Sequence, residues 1–475
     1  MNLNSKVKKN YIHKKKLYII SLPIQRLIRT IYSEDLIKPL TKNGDVLIIS
    51  QFSENKIFRQ KYKYKNLYFL NYKKESSLNN FSLKLNGFLN VLRWFGYFRR
   101  IKDKMPYYWH NRFWNFFLDD FKNKRSKFFY NTIDLLSFLG FYRSIWFFIS
   151  NLIGNFIYKF PELESFTEKY KKIILIQNTS WHYIDLKLGY FCRKNNWKSV
   201  LIPYSKDQLQ NTGHLLCDYD MVFAQGDKEE RFAKSFHNIS PKRIRKVGSL
   251  NIFKIREVYK ELSSKYKKEN GLKRIFFSSI APIQFPLELE LDCVEFLLVN
   301  ARKGLYGNVE ITYRLQTDLV PYKVVKERFK NYPELQINYA PKEVTGIEEL
   351  SGIEEKKIFT NYVKGLISYD LNIMAYWNSL AIDACALNIP SISFLGNKHQ
   401  FNIRRKIKLH LNNDNRLIDF EETPVANNLS DLHLFILKFI NKKNYGKKYI
   451  NKTLKDWDTN NDRVYNDITD LIRSL

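Results

Sequence analysis

Two α/β domains facing a cleft are what this 475-residue sequence predicts, on three observations: its length, two separate runs of strands alternating with helices, and a charged stretch between them. One hydrophobic core rarely serves so long a chain, so two domains of about 200 residues each are expected. With 44% hydrophobic residues, 16% aromatics and only 17 Gly and 13 Pro, nearly the whole chain is expected to be ordered.

The first clear strand is the apolar run 45–50, which follows the turn signal Lys42-Asn43-Gly44 and suits a strand buried on both faces. A second strand follows at 66–70. The segment from about 81 to 160 breaks the scheme: it is aromatic, basic and helical in period, with Trp94, Trp109, Trp114 and Trp146 among Arg99, Arg100, Lys122, Lys124 and Arg125. Within it, 144–158 is apolar but interrupted by Ser150, Asn151, Gly154 and Asn155 and flanked by Arg143 and Lys159. Those interruptions count against a membrane-spanning helix. They leave a packing segment, or a face lying on anionic lipid.

From Lys172 the alternation becomes regular, with strands at 173–177, 199–203 and 220–224, a helix over 183–195, and another opened by Asp227 and Glu229 after Gly226. Acids there suit the positive end of the helix dipole. Strand, helix and strand at this spacing imply a parallel sheet. The charged amphipathic stretch 251–271 reads as the inter-domain linker. Beyond it the scheme resumes with strands at 274–278, 309–314, 335–338, 365–368 and 391–395 and a helix over 288–301. The expected organisation is two Rossmann-like halves, 1–255 and 272–475, with the helical aromatic and basic insertion in the first.

The stretch 368–394 carries the most specific signal. A strand and loop lead to Asn378 and Ser379, a helix runs on from there, and Asn388 and Pro390 end it before the next strand. Ser379 falls at or near the helix N-cap, where unpaired N–H groups and the helix dipole favour phosphate, and Asp383 lies one turn further on the same face. The pattern of Ser379, Asp383, Ala384 and Pro390 to Ile392 resembles the donor-side motif of GT-B glycosyltransferases and related surface-carbohydrate biosynthesis proteins. Two further stretches are similar to the same group: 217–226 with Lys246-Val-Gly-Ser249, and Thr312-Tyr-Arg-Leu-Gln316, whose Arg314 matches while Leu315 and Gln316 depart from the usual Arg-x-His-Pro.

That resemblance, covering about 173–395, implies a GT-B-like fold with the nucleotide-linked donor on the second domain. It assigns donor phosphate to Asn378, Ser379, Leu380 and Arg314, and a ribose or sugar hydroxyl to Asp383. In such proteins the acid is usually Glu and the residue before the Ile-Pro usually Gly, where this chain has Asp383 and Asn388. Arg314 would offset the charge of a leaving diphosphate. No cofactor is implied, because the nucleotide-linked donor is itself the substrate.

For acid and base work the candidates are His182, in the loop after strand 173–177, and His214 in Asn211-Thr-Gly-His214, with Asp185 and Asp207 as weaker ones. Loops at the carboxyl ends of strands are where ligands bind in open α/β sheets. Asp119-Asp120 is the one acidic pair that suggests a metal, but it lies in the insertion, so no obligatory metal is expected. There is no GxGxxG, Walker-type loop, GxSxG or HExxH, which removes simple dinucleotide, P-loop, α/β-hydrolase and zincin readings. The single, dispersed Cys192, Cys217, Cys293 and Cys385 read as structural thiols of a reducing compartment. The apolar run 17–22 is too short for a signal-peptide core, so a cytoplasmic protein is expected, held at the inner face of the membrane if the insertion touches lipid.

The formal charge of +32 favours polyanionic partners, although the wealth of Lys, Asn, Ile, Phe and Tyr is also what an AT-rich genome produces. The expected function is transfer of a glycosyl or related alditol-phosphate group from a nucleotide-sugar or CDP-alditol donor to a cell-surface glycan or lipid-linked acceptor. Alternatives are a nucleotide-sugar epimerase or hydrolase of the same fold, a scaffold that kept the fold without activity, and a non-catalytic nucleic-acid binder. No nucleic acid is expected as partner, because the basic residues form no identifiable reading motif.

Overall fold

The apolar run 17–22 is a central strand. A computed structural model places it at Lys16–Ser21 (β1), five of its six residues buried. The structure describes the chain apart from residues 1–15, 24–26, 28–33, 73–78, 101–141, 181, 205–207, 212, 264–270, 281–284, 316–320, 340–351, 377, 397–422, 442–444 and 456–462. Trp109, Trp114, Asp119, Asp120, Lys122, Lys124, Arg125 and Asp207 lie outside the described residues.

Two parallel sheets organise the rest. The first holds β1, Asp45–Ile49 (β2), Leu67–Leu70 (β3), Lys172–Gln177 (β4), Lys198–Leu201 (β5), Met221–Ala224 (β6) and Ile244–Lys246 (β7), in the order β3-β2-β1-β4-β5-β6-β7. The second holds Lys273–Ser278 (β8), Val309–Leu315 (β9), Gln336–Tyr339 (β10), Leu371–Ala375 (β11), Ser391–Phe394 (β12) and Val425–Ala426 (β13), in the order β10-β9-β8-β11-β12-β13. Each sheet grows one way from its first strand and then the other, giving a topological switch point between β1 and β4 and another between β8 and β11. At such points the loops leave the sheet in opposite directions and open a crevice at the carboxyl ends.

The helices that matter below are Glu34–Asn43 (α1), Asn80–Arg100 (α2), Tyr142–Ile157 (α3), Tyr183–Lys194 (α4), Leu250–Ser263 (α5), Leu287–Arg302 (α6), Gly352–Ile367 (α7), Leu380–Ala386 (α8) and Val464–Ser474 (α9). Alternation along β1 sends Leu17 and Ile19 to a core shared with Leu89, Trp146 and Leu188, and Tyr18 and Ile20 to a second core. In that second core Leu36 and Leu40 of α1 meet Ile468 and Ile472 of the last helix, α9. The chain therefore ends by crossing back onto the first sheet, where Arg473 donates to the Pro39 carbonyl at 2.6 Å.

The linker stretch is helical: α5 fills most of it and packs against α7 and α8. The strand expected at 365–368 lies instead at Leu371–Ala375. The apolar residues before it belong to the end of α7, where Val363, Leu366 and Ile367 are buried at helical spacing. Asn372 hides β11 from an apolar pattern. It is 1% exposed, donates to Ser391 Oγ at 3.0 Å and accepts from Ser278 Oγ at 3.3 Å, so its amide is satisfied by the strands on either side.

The insertion supplies α2 and α3, an antiparallel pair on the first domain. Tyr142 donates to the Leu92 carbonyl at 2.7 Å and Trp146 Nε1 to that of Leu89 at 3.1 Å. Gly154 lets α3 lie against α4, because a Cβ there would collide with the ring of Tyr190. All four cysteines are free and buried, and burial pushes the Cys217 and Cys293 thiols up.

Candidate functional site

At the first switch point the sequence after β4, Gln177-Asn-Thr-Ser180, runs buried into the N-terminus of α4. His182 is its N-cap residue and Asp185 stands in the first turn. Asp185 is fully buried and holds the crevice together. It accepts from Ser21 Oγ of β1 at 2.7 Å, from Thr179 Oγ1, and from the backbone N–H of His182 at 3.3 Å. Burial pushes its carboxyl up to about 7, against the pull of those donors and of the nearby Arg93 cation. Arg93, itself fully buried on α2, donates to the Ser180 carbonyl, so the insertion reaches into the switch point.

His182 is half-buried, and burial drops its imidazole to about 4, so the ring is neutral at pH 7. His214 lies elsewhere in the wall. It is 2% exposed and packs edge-on to Tyr97, ring centroids 5.7 Å apart, while Tyr97 stacks on His237 at 5.0 Å and donates to the Leu209 carbonyl. These surroundings are those of a packing residue.

At the second switch point Asn378 Nδ2 donates to Ser278 Oγ at 3.1 Å, joining the loop after β11 to the end of β8. The capping of α8 falls on Asn378, whose Oδ1 accepts from the Leu380 N–H at 3.0 Å. Ser379 is exposed and its side chain makes no capping bond. Asn388 has φ 61°, the left-handed backbone that a Gly supplies freely and that Asn tolerates among L-residues. The helix therefore ends as a Gly-terminated one would, and the Ile389 N–H reaches back to the Ala384 carbonyl at 2.9 Å.

Asp383 is nearly buried and serves two partners. Tyr362 of α7 donates to its Oδ2 and Asn251 of the linker helix to its Oδ1, both at 2.8 Å. The Arg314 guanidinium lies over the Tyr362 ring, 5.7 Å from its centroid, so Arg314, Tyr362, Asp383 and Asn251 form one connected array from β9 to the hinge. Burial pushes the Tyr362 hydroxyl well up. Beside the array, Glu290 in the first turn of α6 accepts from Tyr313 at 2.6 Å, and burial raises its carboxyl to about 7.

Ser379, Asn378, Leu380, Asp383 and Arg314 thus come together at one crevice, and His182 stands at the other. The sequence reading overlooked Arg93, Tyr362, Asn251 and Glu290 as partners. Only the three-residue step from His182 to Asp185, the spacing of a first-turn acid below its cap, was visible as a local signal. Among the described residues no group of three or more His, Cys, Asp or Glu is placed to hold a metal ion.

No family model matches the sequence, and no curated protein matches it. Solved structures do match in shape. UDP-GlcNAc 2-epimerase from Neisseria meningitidis, solved with UDP-GlcNAc bound, aligns over 97% of this chain and 100% of its own at 10% identity and a TM-score of 0.51. The UDP-GlcNAc 2-epimerase of Methanocaldococcus jannaschii aligns over the same shares at TM-score 0.48, and the wall teichoic acid polymerase TagF over 97% and 88% at 0.45, each with 10% identity. Two parallel sheets, a helical hinge, a last helix that returns to the first sheet and the likeness to the Neisseria protein together make this chain a two-domain protein of the GT-B fold.

Proposed function

We propose that the chain is a sugar-nucleotide enzyme, and more narrowly a transferase that moves a glycosyl or alditol-phosphate group from a nucleotide-linked donor to a surface glycan or lipid-linked acceptor. The observation that supports it most is the second crevice. There the exposed Ser379 hydroxyl, the Asp383 carboxylate and the Arg314 cation gather at a switch point, where open α/β sheets bind ligands. In this reading the Ser379 hydroxyl holds the diphosphate, the Leu380 N–H exchanges its bond to Asn378 for one to phosphate, and Arg314 stands close by to offset the charge as it leaves. Asp383 accepts a ribose or sugar hydroxyl in place of the Asn251 amide. His182 is the candidate to take the proton of the attacking acceptor hydroxyl and pass it to solvent or product, a role that requires the donor complex to raise its basicity above that of the free protein. The reading needs no cofactor. It places the protein in the cytoplasm, with the insertion touching the inner face of the membrane that carries the acceptor.

A second reading, epimerisation or hydrolysis of a nucleotide sugar, has in its favour that the Neisseria protein is an epimerase solved with UDP-GlcNAc. The long insertion favours transfer, because an enzyme acting on a soluble sugar nucleotide alone has no use for a second, basic and aromatic face.

Calorimetry with UDP, CDP, GDP and their sugar or glycerol conjugates tests the donor site. One nucleotide is expected to bind, and Ser379→Ala and Asp383→Ala are expected to weaken it at least about tenfold, the worth of one or two charge-assisted hydrogen bonds. Product analysis on the nucleotide sugar that binds then separates an epimer or free sugar from a donor that is consumed only when acceptor is added. Binding of short DNA with steep salt dependence and of no nucleotide refutes the reading.

A further inference from the structure

Eight large apolar side chains are strongly exposed among the described residues, and they are unevenly spread. Phe81, Phe148, Leu152 and Phe156, at 68, 70, 57 and 69%, all stand on the α2/α3 pair. The other four, at 40–55%, are scattered over the second domain. Phe148, Leu152 and Phe156 recur every four residues, so they line one stripe of α3 about 12 Å long. The opposite face is spent on the core through Trp146, Ser150, Gly154 and Ile157.

The two helices run antiparallel, with Tyr158 donating to Asn86 Oδ1 at 2.8 Å, so the first turn of α2, and Phe81 with it, lies level with the Phe156 end of the stripe. Exposed Lys84 and Lys159 flank that end. The stretch 81–160 holds thirteen Lys and Arg against four Asp and Glu. Among the described residues no helix is long and apolar enough to cross a membrane. At 16 residues, α3 falls short of the roughly 20 apolar ones that a crossing needs.

We infer that this stripe lies flat on an anionic lipid bilayer, with Phe148, Leu152, Phe156 and Phe81 in the headgroup boundary and Lys84 and Lys159 on the lipid phosphates. Apolar burial on one face and cations around it are the two contributions that hold an in-plane helix to an anionic surface. A second copy of the chain fits less well, because Lys84 and Lys159 would bring like charge to both sides of the contact. The inference deepens the membrane contact offered above and names its face. It makes no use of the nucleotide.

Flotation of the full chain with phosphatidylcholine vesicles, with and without phosphatidylglycerol, tests it against the triple variant Phe148→Ser, Leu152→Ser, Phe156→Ser. The native chain is expected to float with the anionic vesicles, more weakly with the neutral ones, and the triple variant to partition at least about tenfold less, since burying even part of three such side chains is worth that much. All three side chains face solvent, so the melting temperature should hold. The single Phe148→Ser variant, with an intermediate loss, covers a triple variant that folds poorly. The inference is overturned if the native chain does not float, if the triple variant floats equally well, or if sedimentation shows a native dimer that the triple variant separates. Calorimetry on the triple variant keeps the two questions apart: an unchanged nucleotide response with lost flotation concerns the lipid face alone, and the converse concerns the donor site alone.

Discussion

In the first sheet the switch-point crevice is filled from within the protein, whereas in the second, among the described residues, a hydroxyl at one helix end stays exposed. Between β1 and β4, Ser21, Thr179 and Asp185 are all fully buried, and Arg93 is brought in from the insertion behind them. Between β8 and β11, Ser278 and Asn378 make the corresponding bond across the gap, but the next residue, Ser379, faces solvent. Each domain also buries an acid in the first turn of a helix that follows an inner strand, Asp185 in α4 after β4 and Glu290 in α6 after β8, and burial raises both carboxyls to about 7. The same fold therefore makes one crevice a buried structural joint and leaves an exposed hydroxyl at the helix end of the other.

The largest test of that contrast is Asp185→Asn. A carboxyl raised from 3.8 to about 7 favours the native state fully below its unfolded value, and the advantage disappears as pH rises through the folded one. Relative to the variant, the native chain is expected to lose about 4 kcal/mol between pH 4 and pH 8, read from urea midpoints. Equal slopes for the two proteins would mean that the Ser21, Thr179 and His182 donors hold the carboxylate ionised, and the first crevice would then be an anionic site.

His182 slopes the other way. Its imidazole is lowered from 6.5 to about 4, so the stability it contributes is whole above pH 6.5 and lost as pH falls through 4. The loss is expected to reach about 3 kcal/mol and to be absent from His182→Gln. A nuclear magnetic resonance titration of the ring should place its midpoint near 4. A midpoint at 6.5 would describe a solvated ring, and the contrast between a joined first crevice and an open second one would weaken.

How much of this was legible in the sequence varies with what carries each feature. Strands buried on both faces, such as β2 and β4, stand out as apolar runs because both cores demand the same residues. Asn372 hid β11, since its partners Ser278 and Ser391 come from other strands and no local pattern announces them. The run 17–22 was visible, but its length says only that it is apolar; what makes it a central strand is β2 on one side and β4, about 150 residues later, on the other. Of the candidate site, Ser379, Asp383 and Arg314 sit in recognisable motifs. Arg93, Tyr362 and Asn251 do not, because what matters in each is contact with residues far away in the chain.

A smaller effect probes how the insertion is fixed to the first crevice. Gly154→Ala pushes a methyl group against the Tyr190 ring and should cost about 1–3 kcal/mol by overpacking, read as a lower urea midpoint. Because α3 pairs with α2, which carries Arg93, the change should also speed hydrogen exchange in the loop 178–180. A drop in stability without that change would show that the insertion and the crevice are independent.

The smallest effect separates two neighbouring residues at the second crevice. Asn378 accepts the Leu380 N–H and donates to Ser278, so Asn378→Ala removes both a helix cap and the bond across the switch point and should cost about 1 kcal/mol. Ser379 makes no capping bond and is exposed, so Ser379→Ala should stay within about 0.5 kcal/mol of the native chain. If the open crevice holds a ligand, the order reverses when nucleotide is added, with Ser379→Ala losing the larger share of the stabilisation that binding confers. A position that folding leaves idle and binding requires is what distinguishes the second crevice from the first. If Ser379→Ala instead destabilises the free protein as much as Asn378→Ala does, its hydroxyl serves the helix and the two crevices are alike.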